Sequence, residues 1–319
     1  MLENGGSLLA VNAGPARVLL VSGDFRTARW IDELLHAAWS RVQVLVHAEW
    51  DAAAAQAIVD HPSCAVLFDV RPDAHDDAMH LLGCVRLSAP AAPVLLLCDG
   101  DDDDDELGLA AVKAGAQDCL VKSELQPALL RRAVIHAIER KRAEAKLAHQ
   151  ALHDPLTGLA NRLLFLDRLG VALERARRSH TQLAVMFLDF DNFKEINDTL
   201  GHAVGDRLLT ALGQRLSSLL RPMDTVARFG GDEFTFLFED LTSEREVMVI
   251  ADRVCHAASL PIEIDGCELT VTASIGIAMV ADPAAAPEMI IREADAAMYR
   301  AKERGGSRFE LLRLLKRAA

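Results

Sequence analysis

The sequence lacks any apolar run that approaches the roughly 18 residues needed for a membrane-spanning helix. Its N-terminus, MLENGGSLLAVNAG, has neither the basic start nor the apolar segment of a secretory signal peptide. We therefore expect a soluble, cytoplasmic protein that does not act at a membrane.

Cysteine is scarce, and the spacing typical of cysteine-based metal sites is missing. The six cysteines are Cys64, Cys84, Cys98, Cys119, Cys255 and Cys267. None belongs to a CxxC pair, and no pattern of histidines lies near them. Because several lie inside apolar runs such as CAVLFD and VLLLC, we expect buried thiols in a reducing compartment.

Positive charge is also in short supply, with 34 Lys and Arg against 47 Asp and Glu and a net charge of −13. This balance argues against a nucleic-acid partner, although a nucleotide can bind where a metal ion screens its phosphates. Part of the acidic excess is the run Asp101–Asp105 with Glu106, which is most simply a solvated loop. The 319 residues, 51% hydrophobic and 25% charged, predict two globular domains.

Short apolar runs alternate with amphipathic stretches from residue 16 onward. The runs ARVLLVS, VQVLVH, CAVLFD, PVLLLC and QDCLVK predict five buried strands, and stretches such as FRTARWIDELLHAAW and DAAAAQAIVD predict helices between them. This alternation predicts a doubly wound (βα)5 domain whose parallel sheet is covered on both faces. Ligands of such sheets bind at the carboxyl ends of the strands, where Asp69 and Lys122 stand.

This order of elements resembles the receiver domain of response regulators over residues 16–123, preceded by an N-terminal tail of residues 1–15. The resemblance implies that Asp69 is the phosphoacceptor and that Lys122 pairs with the phosphoryl group. It also implies a histidine kinase, or another signalling partner, that acts on this domain.

The resemblance is incomplete at the metal-binding positions. Receivers carry two adjacent acidic residues after the first strand, whereas this chain has Ser22 and Gly23 there and keeps only Asp24. Cys98 replaces the hydroxyl residue expected after the fourth strand. A site short of a carboxylate binds a divalent cation less tightly. Two interpretations are therefore open, a functioning phosphoacceptor or a degenerate receiver that serves dimerisation or partner docking.

Residues 124–152 predict one long helix between the two halves, because the segment contains no Gly and Pro127 suits a first helical turn. An apolar stripe at spacings of three and four comprises Val134, Ile138, Ala145, Ala148 and Leu152, with Lys141 interrupting it. A dimerising signalling helix and a helix packed on its own domain are the alternatives. We favour the dimerising helix, because the chemistry argued below requires two catalytic domains to meet.

Acidic residues follow apolar strands twice in the second half of the chain. The strand Leu183–Leu188 ends on Asp189 and Asp191, and carboxylates at a strand exit suit magnesium. In DTVARFGGDEFTFLF, the residues Gly230–Glu233 join two further strands, and the glycines permit a tight turn that phosphates can approach. A helix cap for the aspartates and an ordinary Gly-Gly hairpin are the alternatives. Together the two clusters predict a metal-assisted phosphoryl- or nucleotidyl-transfer site.

The segment RFGGDEF resembles the signature of the GGDEF family of diguanylate cyclases, and the likeness extends through the domain expected at residues 153–319. The other matching segments are DPLTGLANR (Asp154–Arg162), DFDNFKEINDTLGHAVGD, TVTASIGIA (Thr270–Ala278) and DAAMYRAKERGGSR (Asp295–Arg308). The resemblance implies an α+β fold, a mostly antiparallel sheet flanked by helices, akin to adenylate cyclases and polymerase palms. It also implies that a homodimer, with one GTP on each chain, condenses two GTP into cyclic di-GMP.

The resemblance further implies roles for individual residues. The implied ligands of Mg²⁺, or of Mn²⁺ in its place, are Asp189, the backbone carbonyl of Phe190, and Asp232. Glu233 would support that site, as a further ligand or by helping to activate the attacking 3′-hydroxyl. The implied nucleotide contacts are Asn197 and Asp206 at the guanine edge, His202 in the same pocket, and Lys194 and Lys302 at the phosphates.

Two further positions concern regulation and a departure from the family. Arg221 and Asp224 form an RxxD pattern where the family carries its inhibitory product site, and a helix-end ion pair is the alternative. Gly306 stands where the family often has an arginine. Since Arg304 or Arg308 could substitute, we expect a weakened or rerouted phosphate contact rather than loss of activity.

The main rival function is a non-catalytic effector that binds GTP or cyclic di-GMP, although the signature Gly230–Phe234 is intact. A phosphodiesterase is disfavoured because the chain ends at Ala319 without room for a hydrolase domain. An adenylyl cyclase is disfavoured by the guanine-reading pair, Asn197 and Asp206.

Overall fold

The computed structural model describes residues 16–61, 64–71, 75–100, 102–179, 181–280 and 285–314. The expected tail at residues 1–15 lies outside this part of the chain. The molecule divides into two compact units between Leu147 and Ala148. Within the described ranges, no helix is both long enough and apolar enough to cross a membrane.

The first unit is built on a five-stranded parallel sheet, as predicted. Its strands are β1 (Ala16–Val21), β2 (Val42–His47), β3 (Ala65–Asp69), β4 (Val94–Cys98) and β5 (Asp118–Val121). They lie in the order β2-β1-β3-β4-β5. This order has a switch point between β1 and β3, where doubly wound sheets bind ligands at the carboxyl edge.

Helices cover both faces of this sheet. They are α1 (Phe25–Ala38), α2 (Ala52–Asp60), α3 (His75–Ser88), α4 (Asp102–Ala114) and α5 (Pro127–Leu152). Buried residues of α2, α3 and α4 form one apolar cluster with the sheet, and those of α1 and α5 form a second. Because both faces are covered, the strands read as continuous apolar runs, which confirms the predicted two-sided layer.

One expectation for this unit is corrected. The acidic run is not simply a loop, since α4 begins at Asp102 and continues through Glu106. Negative charge is favoured in the first turn of a helix, where it offsets the macrodipole.

The cysteines of the two quoted apolar runs, Cys64 and Cys98, are buried as expected, whereas Cys267 of the second unit is exposed. Burial raises the pKa of the Cys64 thiol to about 11.

The first half of the long helix α5 packs on its own domain, which was one of the two alternatives considered for it. Leu130, Val134 and Ala137 are buried against the sheet of the first unit. Val134 is fully buried and is therefore unavailable to a second chain, which corrects its place in the expected dimer stripe. Ala145 and Ala148 lie in the exposed second half of the helix.

The second unit has a five-stranded sheet in the order β12-β11-β6-β8-β7. Its strands are β6 (Gln182–Phe190), β7 (Thr225–Gly230), β8 (Glu233–Leu241), β11 (Ala273–Val280) and β12 (Phe309–Leu314), with a separate pair β9 (Ile262–Ile264) and β10 (Cys267–Leu269). Neighbours in the large sheet are antiparallel except β11 and β12. The mostly antiparallel sheet expected here is confirmed.

The helices of this unit again cover both faces of the large sheet. They are α6 (Arg162–Ser179), α7 (Phe193–Leu200), α8 (His202–Ser217), α9 (Glu244–Ser259) and α10 (Pro287–Glu303). Alternate residues of β6 enter two different clusters, Met186 and Leu188 on the side of α8 and α9, Val185 and Phe187 on the side of α6 and α10. The central strand is therefore held on both faces, and its polar end at Asp189 is held rigidly as well.

Candidate active site

Two acidic residues meet across the central strands of the second unit. Asp189 on β6 pairs in register with Glu233 on β8, and Asp232 lies in the turn that precedes Glu233. That turn connects β7 to β8 through Gly230 and Gly231, whose φ angles are 152° and 52°. The predicted hairpin with a carboxylate-bearing turn is present beside the carboxylate at the end of β6.

The crowding of these carboxylates disfavours their charged forms. Burial raises the pKa of Asp189, and the neighbouring charges of Asp232 and Asp191 act in the same direction, whereas Lys302 opposes them. Burial also raises the pKa of Glu233, followed by the charges of Asp189, Asp295 and Asp232. A divalent cation would relieve this repulsion, so the donor set suits a hard cation that prefers oxygen.

The side chains are not a preassembled metal cage. In the described part of the chain, no group of three His, Cys, Asp or Glu side chains is arranged to hold a metal ion. Magnesium is typically bound by one or two carboxylates and keeps several waters, so Asp189, Asp232 and the Phe190 carbonyl remain candidate protein ligands. The Nζ of Lys302 lies 2.5 Å from Oδ1 of Asp189, which places the lysine predicted for the phosphates at the acidic cluster.

The residues predicted to read guanine lie on α7 and α8. Asn197 of α7 packs on Gly205 of α8, next to Asp206; a Cβ at position 205 would lie 2.0 Å from Oδ1 of Asn197. Only glycine permits this approach. His202 opens α8 one turn before Asp206, and both side chains are exposed, as is that of Lys194.

Arg228, which was given no role from the sequence, holds the Gly230–Gly231 turn through hydrogen bonds. Arg228 Nε and Nη2 donate to the carbonyl of Gly231 at 2.9 and 2.7 Å. Its Nη1 donates to both carboxylate oxygens of Asp154 at 3.0 and 3.1 Å. Burial alone would raise the pKa of Asp154, but hydrogen bonds from Thr157 and Arg228 outweigh it and lower that pKa. The signal was present in sequence, since both residues belong to the quoted motifs.

The RxxD residues contact each other but do not form the helix-end ion pair that was the alternative to a product site. The backbone N–H of Arg221 donates to Oδ2 of Asp224 at 3.1 Å, while its guanidinium pairs with Glu246 at 2.8 Å. Burial raises the pKa of Asp224. A cavity of about 400 Å³ is lined by Arg221 and Asp224 together with His153 and Arg168. Glu246, the acceptor for Arg221, was not singled out in the sequence.

In the first unit, Asp69 and Lys122 meet at the carboxyl edge of the sheet. Lys122 Nζ lies 2.7 Å from Oδ1 of Asp69 and 3.0 Å from Asp99, a residue not singled out in the sequence. Ser22 Oγ donates to Oδ2 of Asp69 at 2.6 Å. The cluster borders a cavity of about 450 Å³.

The metal-binding part of this edge differs from the receiver pattern. The carboxylate of Asp24 accepts from the backbone N–H groups of Arg26 and Thr27 and from the Thr27 hydroxyl, so it caps α1. Ser22, where a receiver has an acidic residue, supplies a hydroxyl donor to Asp69. These residues do not fit the two-carboxylate metal site of a receiver.

Comparison with known proteins identifies the second unit. The family model described as "Diguanylate cyclase, GGDEF domain" matches residues 151–308. The chain is 46% identical over 166 residues to diguanylate cyclase TpbB of Pseudomonas aeruginosa, covering 51% of this chain and 38% of TpbB. It is 32% identical over 239 residues to response regulator PleD of Caulobacter vibrioides, covering 72% of this chain and 52% of PleD.

One solved structure is similar at the level of the fold. The coiled coil and GGDEF domain of DgcB from Caulobacter crescentus, in complex with c-di-GMP, matches with a TM-score of 0.53 and 26% identity. That match covers 58% of this chain and 98% of the DgcB chain. The chain spans only 38% of the length of TpbB and 52% of the length of PleD.

Proposed function

Since the chain belongs to the GGDEF family of diguanylate cyclases through residues 151–308, we propose that it condenses two GTP into cyclic di-GMP and two pyrophosphates. The observation that carries the proposal is the pairing of Asp189 with Glu233 across β6 and β8, beside Asp232 in the Gly230–Gly231 turn. Rigid carboxylates next to an accessible turn suit the transfer of a nucleotidyl group.

Asp189, Asp232 and the carbonyl of Phe190 are the residues that would hold Mg²⁺, with Mn²⁺ as an alternative. The bound cation supplies charge stabilisation at the phosphates. Glu233 is the candidate proton acceptor for the attacking 3′-hydroxyl, or a further ligand, because it pairs in register with Asp189 and follows Asp232 directly. The 3′-oxygen of one GTP attacks the α-phosphorus of the other, and the bond to pyrophosphate breaks; a second, identical step closes the ring.

Asn197 and Asp206 are proposed to select guanine, with His202 lining the same pocket. An aspartate that accepts from the guanine N1–H and amino group would leave those bonds unmade with adenine, which disfavours ATP strongly. The phosphate contacts are assigned to Lys194, Lys302 and Arg308. Arg308 is preferred over Arg304 because the Arg304 guanidinium already pairs with Glu310 at 2.6 Å. The Nε of Arg308 donates to the Gly306 carbonyl in the turn between α10 and β12.

Each chain supplies half of the reaction centre, so the active species is proposed to be a homodimer. Two catalytic units that must face each other gain their rate from relative positioning. The exposed second half of α5 is the candidate contact between chains.

Arg221 and Asp224 are proposed to bind the product cyclic di-GMP and to slow the enzyme as the product accumulates. The cavity that they line offers a guanidinium and a carboxylate, which are suitable partners for a phosphate and for a guanine edge.

The first unit is proposed to act as a receiver-like control domain, with Asp69 as the candidate phosphoacceptor and Lys122 as its partner. A kinase or another signalling protein would act on this edge. Incubation with a phosphoryl analogue such as beryllium fluoride tests it: analogue binding that raises cyclase activity and is lost in Asp69→Asn supports phosphorylation. Equal activity with and without the analogue supports control by docking alone.

The direct test of the activity uses the purified chain with GTP and Mg²⁺, followed by chromatography of the products. Cyclic di-GMP is the expected product. Binding of GTP or of cyclic di-GMP without turnover, including in the presence of the phosphoryl analogue, would favour the effector alternative and reject the cyclase.

A further inference from the structure

Asp191 is an acidic residue of the site region that has no role in the proposed chemistry, yet its carboxylate accepts three hydrogen bonds. It follows Asp189 by two residues, just beyond the end of β6. Its Oδ1 accepts from the Ser274 hydroxyl at 2.7 Å. Its Oδ2 accepts from the Thr272 hydroxyl at 2.7 Å and from the backbone N–H of Ser307 at 3.0 Å.

These donors come from two separate segments of the chain. Thr272 and Ser274 lie at the start of β11, and the backbone N–H of Asp191 also donates to the Thr272 carbonyl at 2.8 Å. Ser307 lies in the turn between α10 and β12. One carboxylate therefore joins three points of the fold: the end of β6, the start of β11 and the turn that follows α10.

Gly306 allows this arrangement. Its φ is +69°, and a Cβ at this position would lie 3.1 to 3.2 Å from three atoms of the Asp191 carboxylate. A side chain at position 306 would therefore be strained in its backbone and would press on Asp191. The glycine keeps the Ser307 N–H within reach of the carboxylate.

The end of β6 is joined to the region of α10 a second time in the site. Lys302, in the last turn of α10, pairs with Asp189 at 2.5 Å. Asp189 thus contacts α10 through the Lys302 ammonium, and Asp191 contacts the turn that follows α10 through the backbone N–H of Ser307. Two attachment points fix an orientation better than one, because a single pair leaves the helix end free to pivot about it.

We propose that Asp191 is a positioning residue that holds Lys302 and the end of β6 in the relative positions that the nucleotide phosphates require. This role rests on the proposed function of the same site and deepens it. Asp191 acts through Lys302 and the α10–β12 turn rather than by touching GTP. Misplacement of a positioned group by about 1 Å can lower catalytic efficiency on the order of a hundredfold, so a residue of this kind matters without contacting substrate.

The test measures binding of a non-hydrolysable GTP analogue with Mg²⁺ by calorimetry, together with kcat and KM for GTP, on the full chain. Asp191→Asn replaces one acceptor oxygen by an amide donor that faces the same donors. Thr272→Val is a milder second variant that removes a single donor and leaves the carboxylate. Asp252→Asn, an exposed aspartate on α9, is the matched control.

We expect Asp191→Asn to weaken analogue binding about tenfold and Thr272→Val less, each with a thermal midpoint close to that of the control, while Asp252→Asn binds like the wild type. Combined with Lys302→Ala, Asp191→Asn should cause little further loss, because residues acting through one contact are not additive. Wild-type binding by Asp191→Asn, or losses that add fully to those of Lys302→Ala, would overturn the role. Since analogue binding is read separately from turnover, a wild-type chain that binds the analogue but makes no cyclic di-GMP rejects only the proposed activity.

Discussion

Arg228 bonds both carboxylate oxygens of Asp154, a residue 74 positions earlier in the chain, at 3.0 and 3.1 Å. The same guanidinium donates twice to the Gly231 carbonyl. Both side chains of the pair are largely buried, at 11% and 15% exposure. The turn that bears Asp232 is thereby tied to the segment that directly follows α5.

Asp154→Asn should lower the free energy of unfolding by about 1.5–3 kcal/mol, because it leaves a largely buried guanidinium without its anionic partner. Urea denaturation measures the change. Glu174→Gln breaks the exposed pair with Arg177 and serves as the matched control, expected to stay within about 0.5 kcal/mol of the wild type. Equal effects of the two substitutions would contradict the structural importance of the Arg228–Asp154 pair.

Glu233→Gln should abolish turnover and yet stabilise the fold at neutral pH in the absence of metal. Burial and the neighbouring carboxylates raise the pKa of Glu233 above its ordinary value, so the folded state disfavours its ionisation. The stability that the fold gains from protonated Glu233 is complete below the pKa that this carboxyl has in the unfolded chain. It is lost as the pH rises through the pKa that the carboxyl has in the folded chain. The stability difference between variant and wild type, measured by denaturation in EDTA, should therefore grow between about pH 4 and pH 7. A difference that does not change with pH would show that Glu233 is not under this repulsion.

Gly205→Ala should raise KM for GTP about tenfold. The added Cβ would lie 2.0 Å from Oδ1 of Asn197 and would therefore displace that amide. Helix propensity alone would favour alanine by about 1 kcal/mol, so a pure propensity effect predicts a more stable and fully active enzyme. Gly170→Ala on α6 is the control, since nothing lies within 4 Å of its added Cβ. An unchanged KM in Gly205→Ala would remove Asn197 from the guanine site.

Arg221→Ala should leave the initial rate unchanged and shift the cyclic di-GMP inhibition curve to concentrations at least about tenfold higher, the equivalent of one lost charged contact. Rates measured at increasing added product give both quantities. Arg177→Ala removes an exposed arginine of α6 and should inhibit like the wild type. If the Arg221 variant gives the wild-type curve, the feedback proposal fails.

Local patterns carried the sequence-based predictions that succeeded. The parallel sheet followed from apolar runs alternating with helical patterns, and the Gly230–Glu233 hairpin followed from two strands flanking a glycine pair. The place of Asp189 beside this hairpin followed from its position at the exit of a buried strand. The hairpin and strand-exit signals each lie within about ten residues of sequence, whereas the sheet followed from the alternation of such runs along the first half of the chain.

Contacts between distant segments were the part that sequence could not supply. The pairs Arg228–Asp154, Asp191–Ser307 and Arg221–Glu246 join residues 74, 116 and 25 positions apart, and strand register and helix packing decide them. The start of α4 was missed because a run of aspartates has the composition of a loop, whereas the helix dipole favours the same residues in a first turn. Val134 was assigned to a dimer stripe because helical periodicity does not reveal which surface covers an apolar face.

The central claim, that the acidic residues at the ends of β6 and β8 catalyse cyclisation of GTP, is tested most directly by product stoichiometry. Wild type and Asp232→Ala are incubated with GTP and Mg²⁺, and pyrophosphate and cyclic di-GMP are quantified in the same samples. The wild type should release two pyrophosphates for each cyclic di-GMP, and the folded Asp232→Ala variant should form neither. Pyrophosphate release without cyclic di-GMP, or cyclic di-GMP formation by Asp232→Ala at the wild-type rate, would contradict the claim.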